Sequence, residues 1–182
     1  IQAYGLLAVA EVYRGHLANA DLLVLESLEK LGKSEPTGFA LLEGYAGIAE
    51  VELTMVAKSG DGDTSRPLLL ERAKESVSRV VALGKSIPIA RPRAQTLSGW
   101  LEHLLGNSAQ ALASLEAAIR NAESLGMPFE AAFAYFQLGS IQSHETSARA
   151  ENLGKACAIF TRLGCKHHLE AARRVLDEQA VV

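Results

Sequence analysis

"GLLAVAEVY" (residues 5–13) and "GYAGIAEVE" (residues 44–52) align without a gap at an offset of 39, with Gly, Ala, Glu and Val at matching places. Such a match between distant segments points to an internal repeat, and the rest of the chain extends it. Apolar residues recur at helical spacing in segments bounded by Gly, Pro or Asn, and no segment sustains the alternation of a strand. The pattern predicts an all-α chain of nine helices, over 3–15, 18–31, 37–58, 66–85, 92–105, 108–125, 129–143, 147–163 and 166–180.

Four of these helices end in a related phrase: "EKLG" at Gly32, "VALG" at Gly84, "ESLG" at Gly126 and "TRLG" at Gly164. A glycine after a terminal leucine is an expected helix stop, because glycine enters the left-handed cap conformation cheaply. These glycines lie 52, 42 and 38 residues apart. A small residue also sits mid-way along each preceding helix, at Ala10, Ala49, Gly99 and Gly139, where a bulky side chain would hold the paired helix away. The expected unit is therefore a helical hairpin, at about 3–32, 37–84, 92–126 and 129–164, with a closing helix at 166–180.

This organisation resembles a tetratricopeptide-repeat array over about residues 3 to 165. The resemblance runs through the small residue of each first helix, then Ala20, Ala73 and Ala111 early in the second helices, followed by Val24, Val77 and Leu115. Gly15 and Gly106 match the family's inter-helix glycine. The repeats are longer than the family's, the aromatic after the small residue survives only as Tyr13, and Arg149 stands where the fourth repeat should have Ala. The resemblance implies a right-handed superhelix in which only neighbouring hairpins touch. The closing stretch "AIFTRLGCKHHLEAARRVL" (158–176) also resembles the C-terminal end of helical-repeat regions in large bacterial signalling ATPases, nucleotide cyclases and transcriptional activators.

Bulk properties narrow the function classes. At 182 residues and 48% hydrophobic the chain can bury a substantial core. A net charge of −3 argues against nucleic-acid binding, which requires a basic stripe to neutralise phosphates. No uninterrupted apolar run reaches the roughly 18 residues needed to span a bilayer, and the N-terminus lacks a signal-peptide pattern. Beginning at Ile1 rather than Met, the sequence reads as a piece of a larger protein. Two cysteines, Cys157 and Cys165, are too few for a disulfide framework, so a cytoplasmic setting is expected.

One stretch looks like chemistry: "KSGDGDTSRP" (58–67), where Asp61 and Asp63 alternate with glycines. The first helices of repeats one and two are 39 residues apart while their terminal glycines are 52 apart, so 13 residues are inserted in the second repeat. As a calcium loop the stretch fails, with Arg66 at the sharp-turn glycine and Arg72 at the bidentate glutamate. As a phosphate loop it lacks the Gly-Lys-Ser/Thr ending. It is expected to be a solvated loop in which Thr64 or Ser65 caps the helix that Pro67 helps to start.

Cys165, His167 and His168 are zinc-ligand types, but a structural zinc normally takes two separated ligand pairs, and only Cys157 lies nearby. No metal, cofactor or catalytic residue is assigned. Phe129, Phe133 and Phe136 form a stripe at helical spacing that reads as core, the alternative being that one ring faces a binding groove. In the tetratricopeptide family the residue after the small one faces the concave surface. That implies a groove carrying Glu11, Glu50, Trp100 and Ser140, with Arg93 and His103 further along the same face as Trp100. Lys74, Arg79 and Arg120 are expected outside it. The function expected from the resemblance is a non-catalytic module that binds a protein or peptide, or other domains of its parent chain. The alternative is a small-molecule sensor using the same groove.

Overall fold

The structure, a computed structural model, describes residues 1–31, 41–60, 62–143 and 147–177. Among them are nine α-helices and no strand: α1 Gln2–Tyr13, α2 Leu17–Leu31, α3 Leu42–Lys58, α4 Arg66–Ser86, α5 Arg91–Leu104, α6 Ser108–Ser124, α7 Pro128–Ile141, α8 Ser147–Leu163 and α9 Lys166–Asp177. A 3-10 turn, Pro88–Ala90, precedes α5. No helix among the described residues is long and apolar enough to cross a membrane.

Packing follows sequence order. Helices pair as α1–α2, α3–α4, α5–α6 and α7–α8, and the first helices also pack in series, α1 on α3, α3 on α5, α5 on α7 and α7 on α9. Two rows result, the odd-numbered helices in one and the even-numbered in the other. The repeat alanines Ala20, Ala73 and Ala111 are fully buried, as are Val24 and Leu115 behind them. A larger side chain at those points would hold each second helix off its partner.

The small residues act where two helix axes come closest. A Cβ on Gly99 would lie 2.6 Å from Leu115 Cγ, and one on Gly139 would lie 2.7 Å from Leu153 Cγ. Between α1 and α3 the approach is backbone on backbone, since a Cβ on Gly5 would meet the Gly44 carbonyl oxygen at 2.2 Å.

Two of the glycine stops are placed as expected: Gly126 and Gly164 follow α6 and α8 with φ of 64° and 70°. Gly32 lies outside the described residues. Gly84 is different. It is helical, and α4 runs on to Ser86 before the extended Ile87 that precedes Pro88. Proline, which disfavours helix in the residue before it, ends α4; Gly84 instead lets Ala94 of α5 pack against it.

The inserted residues are shared out. Part lengthens α4 to 21 residues, against 17 in α6 and α8. Part forms the 59–65 connection, of which Asp61 lies outside the described residues. Ser65 does not cap α4, because its hydroxyl and its backbone N–H both donate to Asp63 Oδ1, at 2.7 and 2.8 Å. Arg66 reaches back instead, donating to the Val56 and Ser59 carbonyls at the end of α3 at 2.7 and 2.8 Å.

Arg149, the departure from the repeat pattern, is fully enclosed. Its guanidinium donates to the Gly139 carbonyl at 2.8 Å, near the end of α7, and to the Val175 carbonyl of α9 at 3.0 Å. A cation on C-terminal carbonyls satisfies orphan acceptors and suits the helix dipole, so the long side chain is a tie between α7, α8 and α9.

These contacts predict a sharp contrast in glycine tolerance. Gly99→Val is expected to cost about 1–3 kcal/mol in chemical denaturation, the usual penalty of overpacking. Gly60→Ala, with open space around it, should stay within about 0.5 kcal/mol. Equal denaturation midpoints for the two variants would contradict the close packing of α5 on α6.

Candidate functional site

The odd-numbered helices face one another across a cavity of about 400 Å³. α1 contributes Tyr13, α3 contributes Glu50, α5 contributes Trp100, and α7 contributes Phe133, Phe136 and Ser140. α9 closes the space with His167, His168, Glu170 and Arg174. Even-numbered helices take no part in the lining. A larger hollow of about 620 Å³ lies where α4, α5 and α6 meet, lined by Lys85, Gln95 and Gln110 among others, but it gathers no aromatic ring.

Behind the cavity wall sits Arg93. Its Nε and Nη2 donate to the two carboxylate oxygens of Glu130 at 2.7 and 2.8 Å, with both residues buried. This bidentate geometry is the strong form of the arginine–carboxylate pair. The guanidinium also lies over the rings of Phe129 and Phe133, at 5.2 and 5.4 Å from their centroids. Glu43, half exposed, stands 3.9 Å away on the other side.

Glu50 is half-buried and lines the cavity. Burial pushes its pKa up, against the pull of the Arg93 charge and the Tyr13 hydrogen bond. The Tyr13 hydroxyl donates to Glu50 Oε1 at 3.1 Å and lies 2.8 Å from His168 Nε2. A tyrosine has one hydroxyl proton; with that proton directed at the Glu50 carboxylate, the His168 tautomer that completes the contact carries its proton on Nε2 and donates to the Tyr13 oxygen. In that arrangement imidazole and phenol form a chain of two donors that ends on the Glu50 carboxylate.

His168 is also packed among rings, with the centroids of Phe129 and Phe160 each 5.1 Å from its own. That burial, together with the positive Arg93, lowers its pKa to about 4. Burial, followed by the Glu50 charge, pushes the Tyr13 hydroxyl well above its ordinary value. His167 stacks on the Tyr13 ring at 5.2 Å. Through these contacts the end of α1 meets the start of α9, although only neighbouring hairpins were expected to touch. The physical reason is chemical complementarity between two half-polar rings and a buried carboxylate, none of which the hydrophobic repeat encodes.

The residues predicted for the groove divide. Glu50, Trp100 and Ser140 line the same cavity. Arg93 stands behind the wall, enclosed and paired. Glu11 faces the α1–α2 turn instead, where His16 Nδ1 lies 2.9 Å away and Asn19 and Arg14 donate to it at 3.3 and 3.2 Å. Three donors brought together by the turn hold it there, and they lower its pKa, the His16 hydrogen bond most. His103 is exposed in the last turn of α5, away from the cavity lining. Of the residues expected outside, Arg120 is exposed, whereas Lys74 and Arg79 are half-buried and lie 2.6 and 2.7 Å from Glu71 and Glu75.

Tyr13, Glu130, His167 and His168 belong to the site but were not assigned to it from sequence. Tyr13 and His168 are 155 positions apart, and no local pattern links them. Among the described residues, no group of three or more His, Cys, Asp or Glu could hold a metal ion. Cys157 is a free thiol whose pKa burial raises, so it is no ready nucleophile.

No protein-family model, curated protein or solved structure matches this chain.

The proton arrangement has a pH signature. His168 titrates lower in the fold than in the unfolded chain, so its stabilising contribution is fully present above pH 6.5 and is lost as pH falls towards about 4. Glu50 acts in the opposite sense, because acid relieves the cost of burying its charge. The melting-temperature advantage of the wild type over His168→Gln is therefore expected to shrink between pH 6.5 and 4. A difference that stays constant over that window would contradict the buried, neutral imidazole.

Proposed function

We propose that this chain is a non-catalytic regulatory module, a right-handed tetratricopeptide-like superhelix of four hairpins and a closing helix, which binds a small molecule in its inner cavity. The observation that carries this reading is the closure of the cavity by α9. Tyr13 and His168 join across the space where an extended peptide would run, leaving about 400 Å³, within the size range of small-ligand sites. The lining has the composition such sites favour: Trp100, Phe133 and Phe136 as apolar wall, with Glu50, Ser140 and Arg174 as sparse polar groups.

The two-row packing and the buried repeat alanines support the solenoid architecture. Binding would act by mass action on the contact between α1 and α9, stabilising the closed form over any form in which the ends part. In a bacterial signalling protein of the kind the closing stretch resembles, that change would pass to a neighbouring ATPase, cyclase or DNA-binding domain.

A second reading, that the module binds a protein, has its own support. The first hairpin leaves Leu6, Leu7 and Leu22 half or more exposed, at 50, 55 and 65%, and Leu25 at 44%. Such a cluster of bare leucines suits contact with another protein surface. On this reading the interface is the first hairpin, and the cavity is a structural feature.

The two readings separate experimentally, and Trp100 is the only tryptophan, so its emission reports on the cavity. A small molecule that raises the melting temperature is expected also to shift that emission. Trp100→Ala should weaken its binding about tenfold or more, while Arg120→Ala leaves it unchanged and the helical circular-dichroism signal survives. Partner capture that survives Trp100→Ala but is lost in Leu22→Asp/Leu25→Asp would overturn the sensor in favour of the protein-binding reading.

A further inference from the structure

Charge within the cavity is out of balance. Arg93 is the cation behind the wall, and Glu130 occupies it through both carboxylate oxygens. Glu50, half-buried in the cavity wall, receives a hydrogen bond to its carboxylate from the neutral Tyr13. His168 adds no charge, since it is held neutral among aromatic rings. At the rim, Glu170 and Arg174 of α9 offset one another in formal charge. One carboxylate on the cavity therefore has no ion pair of its own, in a lining it shares with Trp100, Phe133 and Phe136. A buried charge without a partner is costly, and a low-dielectric cavity strengthens attraction to any opposite charge that enters.

Resting on the reading of this cavity as the binding site, we infer that its ligand is a small organic amine, bound as the ammonium ion. The ammonium group donates to Glu50, whose second oxygen is open to it, and the apolar body packs on the aromatic wall. Tryptophan and phenylalanine rings attract a cation through their faces, so the wall and the carboxylate select the same charge. An anionic ligand would meet Glu50 and Glu170 and gain only Arg174. A neutral alcohol of the same shape would keep the apolar contact but lose the charge-assisted hydrogen bond.

Three probes of one shape test this on the full chain: 2-phenylethylamine, 2-phenylethanol and 3-phenylpropanoate. Calorimetric titration at pH 7, followed in parallel by Trp100 emission, is expected to show binding of the amine, about tenfold or more weaker binding of the alcohol, and none of the carboxylate. Glu50→Gln is expected to abolish the preference for the amine over the alcohol while leaving alcohol binding intact. Should that variant fold poorly, the three-probe ranking on the wild type still decides. Alcohol or carboxylate binding as tightly as the amine, with Trp100 emission responding, would overturn the cation preference but leave the cavity as a small-molecule site. If none of the three binds, the amine proposal falls. A lysine-bearing peptide that shifts Trp100 emission while the free amine does not would overturn it in favour of a protein segment.

Discussion

Tyr13 has one hydroxyl proton and two polar neighbours, Glu50 of α3 and His168 of α9. Giving that proton to Glu50 fixes the tautomer of His168, and the pair then joins α1 to α9 at 2.8 Å. The contact holds α9 against α1 at the wall of the cavity that the odd-numbered helices line. The arrangement also explains why an imidazole is tolerated among phenylalanine rings. As a neutral donor it is satisfied, and as a cation it would face both burial and the charge of Arg93.

The rest of the fold supplies the rigidity that such a contact needs. Arg66, Arg91 and Arg149 each place a donor on the carbonyls near the end of another helix: α3 for Arg66, α4 for Arg91, and both α7 and α9 for Arg149. Orphan carbonyls at helix ends must find donors, and here the next helix supplies them. Each tie couples the position of one helix to its neighbour. Arg72 does the same laterally, bridging Asp21 of α2 and the buried Glu52 of α3 at 2.6 and 3.1 Å.

Much of this was legible in the sequence, for identifiable reasons. Helix positions followed from apolar spacing, and the close contacts at Gly99 and Gly139 followed from the repeat phase. Gly84 misled because the Leu-Gly phrase was read as a stop when the stronger signal, Ile87-Pro88, came three residues later. Glu11 shares a repeat position with Glu50, yet the α1–α2 turn brings His16, Asn19 and Arg14 to it, and three local donors outweigh repeat phase. The Tyr13–His168 contact was not legible at all. It depends on how helices far apart in the chain are placed relative to one another, which is not written in any one helix.

The contact between α1 and α9 is most directly tested by the nitrogen resonances of His168 in the full chain at neutral pH. A neutral ring with its proton fixed on Nε2 is expected, giving two widely separated ¹⁵N shifts, and Tyr13→Phe should release the ring into tautomer averaging. An imidazole that titrates freely near pH 6.5, or that carries its proton on Nδ1, would contradict the donor chain to Glu50 and with it the closed cavity.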